Sequence, residues 1–206
     1  VFTSSHMPAF LHLHDVELVA FYDIVPERAE FIKDRFAKQL EEQIAHLEGP
    51  FEAGQRWVDS WYWSDKNTPA KLANQHKETL ANLKVYDSAE ELLDNVDVVT
   101  ICPPVRYHIP YPPMALAKGV HVMSEKAMAR TWWEAKAVEK AVQESGALYQ
   151  LNDDNLFLPR YDTIRNIIEA GHLGDIQSMW VARGGHGPEA RSWWTMDAMP
   201  SHPSGI

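Results

Sequence analysis

The sequence predicts an α/β protein built on a doubly wound parallel sheet, and three observations predict it. Strand-length apolar runs alternate strictly with helical segments from Val16 to Leu151, the pattern of βαβ units. The run VDVVTIC (Val96 to Cys102) is apolar or β-branched apart from Asp97, as expected of a central parallel strand covered on both faces. Polar groups follow the strands: Asp23, then Pro103 to His108, then Glu125 and Lys126. Ligands of open α/β sheets bind at the carboxyl ends of strands.

The elements follow in order. VFTSSHMPAFLHLHD has roughly helical apolar spacing (Met7, Phe10, Leu11, Leu13) and reads as a helix that has lost its start. VELVAFYD (Val16 to Asp23) reads as a buried strand ending in a carboxylate. Pro26, tolerated in a first helical turn, opens an amphipathic helix with Phe31, Phe36, Leu40, Ile44 and Leu47 broadly on one side. Gly49-Pro50 and Gly54 break that helix. An aromatic stretch, WVDSWYW (Trp57 to Trp63), and a polar helix over about Pro69 to Asn82 follow, so about 41–83 reads as an insertion. Its tryptophans serve either local packing or a lid or subunit contact. Leu83 to Tyr86 is a short strand, and Ser88 with Glu91 matches a capping box. A short helix separates VDVVTIC from GVHVMSE, a second buried strand. Thr131 with Glu134 is a second capping box, opening a helix that Gly146 closes; ALYQL is the next strand. A helix over about Tyr161 to Ala170 stops at Gly171, and DIQSMWVARG reads as a further strand. The expected architecture is a Rossmann-type sheet: residues 1–151 a dinucleotide-binding domain without its first strand and glycine-rich loop, residues 152–206 the start of a truncated α+β domain.

Composition excludes several classes. A net charge of −10 and a pI near 5.4 argue against nucleic acid and anionic membrane surfaces. No apolar run approaches the roughly 20 residues of a membrane span, and no basic region precedes an apolar segment as in a signal peptide. Cys102, the single cysteine, permits no internal disulfide. The expected location is the cytoplasm. No serine-hydrolase elbow and no metalloprotease spacing is present, and no set of metal ligands is placed by spacing.

Four places can carry chemistry. Asp23 ends the strand that a doubly wound dinucleotide fold uses for the adenosine ribose; it is otherwise an exposed aspartate before a turn. A carboxylate there repels a 2′-phosphate: two like charges about 4 Å apart cost on the order of 4 kcal/mol at an effective dielectric near 20. That selects NAD over NADP. His108, after PPVRY, either hydrogen-bonds a carboxamide or caps a turn. Lys126, directly after an apolar strand, is expected to be desolvated on one side, which tunes a lysine for proton transfer. The bland alternative is a surface Glu125–Lys126 pair. Asn152-Asp153-Asp154-Asn155, at the next strand end, could hold substrate hydroxyls.

Taken together these residues resemble the Gfo/Idh/MocA family, named for glucose–fructose oxidoreductase and inositol 2-dehydrogenase. The resemblance rests on VELVAFYDIVPERA, on YDSAEELLDNVDVVTICPPVRYH, on GVHVMSEKAMA and on NDDNLFLPRYDTIRNIIEAGHLGDI, in that order along most of the chain. It implies that Asp23 binds adenosine ribose, and that Pro104 and His108 line the nicotinamide pocket. It implies that Glu125 touches the nicotinamide ribose, and that Lys126 sits near both the hydride acceptor and the substrate hydroxyl. Asn155 matches a substrate-facing asparagine, and Val1, Phe2 and Thr3 match positions whose amides approach the pyrophosphate. Two departures stand out: Pro103 replaces a threonine, and Ala127 replaces the motif proline after Lys126. A cis bond before alanine costs roughly 3 kcal/mol, so a trans peptide is expected there.

The resemblance implies an NAD-dependent oxidoreductase acting on a sugar, polyol or derivative, with Lys126 moving the hydroxyl proton. Alternatives are a glycosidase of the same family that keeps its NAD bound, and a non-catalytic NAD- or sugar-binding homologue. It also implies a chain incomplete at both ends, with a second catalytic group beyond Ile206 and homo-oligomerisation of the full-length protein through the absent sheet.

Overall fold

A computed structural model describes residues 2–13, 15–49, 69–153 and 158–182. The chain divides into two compact units, Val1–Val96 and Asp97–Ile206.

The first unit begins with a π-helical turn, Phe2–His6, running into α1, Met7–Phe10. The expected strand from Val16 to Asp23 is largely absent: only β1, Ala20–Phe21, pairs. Its partner is equally short. β2, Lys84–Val85, lies parallel to it with Ala20 opposite Lys84 and Phe21 opposite Val85. A strand persists only as far as a neighbour accepts its hydrogen bonds, and here they run from Lys84 N–H to Val19 and from Tyr86 N–H to Phe21. Between the strands come α2, Pro26–Glu48, and α3, Pro69–Asn82. α2 continues unbroken past residue 41, where the insertion was expected to begin. The helix over 69–82 is as expected; the tryptophans at 57, 61 and 63 lie outside the described residues.

The core of this unit holds Met7, Leu11, Phe21, Ala29, Phe36 and Leu40, with Phe2, Leu18, Ile32, Leu80, Leu83 and Val85 packed against it. Phe31, expected on the apolar side of α2, is instead 63% exposed, because the buried stripe runs through Ala29, Phe36, Leu40 and Leu47. α4, Ala89–Leu93, is capped by Ser88, whose Oγ accepts the Glu91 N–H at 3.1 Å. The reciprocal half of the expected box, from the Glu91 side chain, is not made.

The second unit carries a three-stranded parallel sheet in the order β3 (Val98–Ile101), β4 (His121–Glu125), β5 (Tyr149–Asn152). Within this sheet β4 is central. β3 is an edge, with Val98 48% exposed, contrary to the expectation of a strand covered on both faces. A 3₁₀ turn, Val105–Tyr107, and α5, Tyr111–Ala117, cross from β3 to β4; α6, Trp132–Ser145, crosses from β4 to β5. Thr131 forms the complete capping box: its Oγ1 accepts the Glu134 N–H, and the Glu134 carboxylate accepts the Thr131 N–H. Gly146 ends α6 at φ 68°, a left-handed position that a side chain strains. α7, Pro159–Glu169, buries none of its residues.

Residues 175–182, expected as a strand, form none. No described segment offers them a ladder, and Met179, Trp180 and Val181 are exposed. The Lys126–Ala127 peptide is cis, not trans as expected, and Ile109–Pro110 is also cis. Among the described residues no helix is long and apolar enough to cross a membrane.

Candidate active site

Strand register assembles the best-defined part of the site. Ile101 stands opposite Ser124 across β3 and β4, and Glu125 stands opposite Asn152 across β4 and β5. All three strands run the same way, so their carboxyl ends lie side by side about 4.8 Å apart. That edge brings together Cys102, the Pro103–His108 turn, Glu125, Lys126 and Asn152. Glu125 is the last residue of β4 itself and is half-buried.

Pro104 opens the 3₁₀ turn, its carbonyl accepting the Tyr107 N–H at 2.8 Å. His108 is fully buried at the end of that turn. Its Nε2 lies 2.9 Å from the Pro103 carbonyl. A carbonyl only accepts, so Nε2 carries the proton and ties the ring to the turn. Of the two roles read from sequence, the turn-capping one is therefore met; Nδ1 is buried with no partner. Asn152 presents a second unpartnered group. Its Oδ1 accepts from Gln150 Nε2 at 3.4 Å, and its Nδ2 is buried without an acceptor. A donor amide thus stands beside the acceptor carboxylate of Glu125.

Lys126 is exposed, not desolvated as expected: β4 ends at Glu125, and the chain bends at 126–128. Cys102 had no part in the site read from sequence. Burial, and then the negative charge of Glu125, push its thiol up to about 12. Its place one residue past an apolar strand was the available signal. Ser124, fully buried, donates from Oγ to the Glu125 carbonyl at 3.3 Å. Asn155 and Val1 lie outside the described residues. No group of three metal-ligating side chains occurs among the described residues.

The first unit holds Asp23 two residues past β1. Its Oδ1 accepts the Val25 N–H at 2.9 Å, which fixes one carboxylate oxygen. The next residue, Ile24, is 62% exposed. Phe2 stacks on His6 and meets the Phe21 ring edge-on, so its side chain serves packing. Thr3 lies in the same opening turn. A cleft of about 350 Å³ lined by Lys84, Tyr86, Asp87, Glu91, Asp94 and Asn95 contains none of the expected site residues.

These groups suit a dinucleotide. Carboxylates accept from ribose hydroxyls, and the unpartnered Asn152 amide beside Glu125 supplies a donor that a hydroxyl oxygen would satisfy.

Comparison with known proteins agrees with this chemistry. A family described as an oxidoreductase family with an NAD-binding Rossmann fold matches residues 52–153. The chain is 33% identical over 135 residues to 4-carboxy-2-hydroxymuconate-6-semialdehyde dehydrogenase of a Sphingobium species, covering 60% of this chain and 43% of the relative. It is 32% identical over 101 residues to D-glucoside 3-dehydrogenase of Escherichia coli, covering 48% and 29%. It is 25% identical over 120 residues to an NADP-linked scyllo-inositol 2-dehydrogenase of Bacillus subtilis, covering 57% and 34%. The chain thus spans less than half the length of these relatives. Among solved structures, the WlbA dehydrogenase from Bordetella pertussis, in complex with NADH and UDP-GlcNAcA, is similar with a TM-score of 0.55. That match has 21% identity and covers 84% of this chain and 38% of the other. The fold is Rossmann-like.

Proposed function

The chain belongs to the Gfo/Idh/MocA oxidoreductase family, and on that premise we propose that it serves an NAD-dependent enzyme passing hydride between nicotinamide and a hydroxyl carbon of a sugar or polyol. In this reading residues 1–151 form the dinucleotide-binding domain and 152–206 begin the substrate domain. The observation that carries it is the carboxyl edge of the second sheet, where Glu125 and Asn152 stand opposite one another with Lys126 next in the chain.

Each residue has one task. Asp23, with one oxygen fixed by Val25, accepts from the adenosine ribose and repels a 2′-phosphate, which favours NAD over NADP. Phe2 and Thr3, with Val1, offer backbone amides to the pyrophosphate. Pro104 and His108 form the rigid wall on the nicotinamide side, and the Pro103 carbonyl holds the imidazole in place. Glu125 accepts from the second ribose and Asn152 donates to it. Lys126, exposed at the strand end, takes or returns the hydroxyl proton of the substrate, while Asn155 orients that substrate. Bound NAD would supply the redox chemistry; the protein supplies binding, orientation and the proton path. The names of the inositol and glucoside dehydrogenase relatives support the substrate class.

The test is Lys126→Ala in the complete gene product, assayed for reduced nicotinamide across a panel of sugars and polyols. Loss of general acid–base help lowers turnover by about 10²–10⁴-fold, with NAD affinity nearly unchanged. Turnover equal to that of the unmodified protein would remove Lys126 from the chemistry.

A further inference from the structure

Between α1 and β1 the described residues, 11–13 and 15–19, form neither helix nor strand. They are held instead by side chains of α3, some sixty residues further along the chain. Gln75 Nε2 donates to the carbonyls of Leu13 and Val16, at 3.2 and 3.0 Å. The neighbouring His76 places Nε2 3.1 Å from the Leu11 carbonyl. A carbonyl only accepts, so Nε2 carries a proton and the ring donates. His76 is 2% exposed, whereas a histidine is usually found at least partly in water.

We propose that Gln75 and His76 form an acid-sensitive clasp on the segment from Leu11 to Val16. Protonation of His76 releases that segment and weakens dinucleotide binding. The second half of this statement rests on the reading of Phe2, Thr3 and Asp23 given above, since the clasped segment connects them. The first half stands on the clasp alone.

The surroundings of His76 set the sign. Burial holds its pKa below the ordinary 6.5; the bond to Leu11 opposes that shift, and the charge of His12 adds to it. Around it, Lys77, next along α3, is paired with Glu48 of α2. Leu47 of α2 packs with Leu72 and Ala73 of α3, and Thr79 of α3 is also buried. Released into water, the imidazole titrates near 6.5. The clasped form therefore binds fewer protons than the released form. Clasping is at full strength above about pH 6.5 and weakens as pH falls below it, by up to about tenfold per pH unit until the clasped ring itself titrates.

The experiment measures amide hydrogen exchange over residues 11–19 at about pH 7.5 and about pH 5.5, corrected for intrinsic rates, alongside calorimetric titration with NAD. The unmodified protein should lose protection by up to about tenfold on acidification and bind NAD more weakly in parallel. His76→Gln keeps an N–H donor that does not titrate, so its protection and affinity should hold across the same interval. Gln75→Ala removes two bonds and leaves the titrating group, so exchange should rise at both pH values with the acid response retained. An identical acid response in His76→Gln, or no change in the unmodified protein, overturns the clasp. If NAD binds at neither pH while exchange behaves as described, the clasp stands and the cofactor reading fails.

Discussion

In the first unit two strands of two residues each depend on helices and on side chains reaching across from α3. In the second, strands of four and five residues carry a continuous parallel ladder. Both present polar groups at strand ends, but they fix them differently. Asp23 is set by a local turn, through the Val25 N–H. Glu125 and Asn152 are set by register, each strand aligning the next. Where backbone pairing is short, side-chain packing must supply the order, and the deepest side chains of the first unit become its critical residues.

That comparison can be broken first at Phe36, which is 1% exposed and tilted against Phe21 at 6.1 Å between centroids. Phe36→Ala should destabilise by about 3–5 kcal/mol in denaturant unfolding, and exchange at Phe21 and Val85 should rise. An effect below about 1 kcal/mol would mean the helices do not hold the short strands. At the second edge, Cys102 reports on Glu125. With its thiol pushed up to about 12, alkylation near neutral pH should run at least about 100-fold slower than for a free cysteine. Glu125→Gln removes the second cause of that shift, so the rate should rise severalfold; an unchanged rate would separate the two side chains.

The two helix caps offer a finer contrast. Thr131 has both halves of its box and Ser88 only one. Glu134→Ala, which removes the reciprocal bond to the Thr131 N–H, should cost about 0.5–1 kcal/mol more in thermal unfolding than Glu91→Ala. Equal losses would show that the reciprocal bond adds nothing. The Thr131 cap should also be acid-sensitive. Arg130 first, then the backbone amides of residues 130 and 131, hold the Glu134 carboxyl below its ordinary 4.5. A carboxyl depressed in the folded state contributes stability above its unfolded pKa and loses it as pH falls through the folded one. The gap between the two alanine variants should therefore narrow below about pH 4.5.

Legibility followed the same division. VVTI and HVMSE are apolar enough that both strands could be read directly, and Glu125 and Lys126 fell at a strand end as expected. VELVAFYD looked equally like a strand, yet pairing requires a partner, and the partner's two residues lie behind an insertion whose course the sequence does not specify. Phe31 failed for a related reason: a helix of 23 residues drifts in phase, so several apolar stripes compete and packing chooses among them. Trp180 and its neighbours had strand composition but no described neighbour to pair with. The lysine was found by its position, while its exposure was not, because covering depends on what packs over a strand end. His76 and Gln75 left no local mark at all: their partners lie some sixty residues away and are backbone carbonyls, which carry no sequence signature.

The central proposal is that Asp23 accepts from the adenosine ribose of a dinucleotide and disfavours a 2′-phosphate there. Parallel fluorescence titrations with NADH and NADPH test it most directly. The account predicts saturable NADH binding, NADPH weaker by at least about tenfold, and a narrowed gap in Asp23→Ser. Failure to bind NADH, or equal affinity for NADPH, would contradict it.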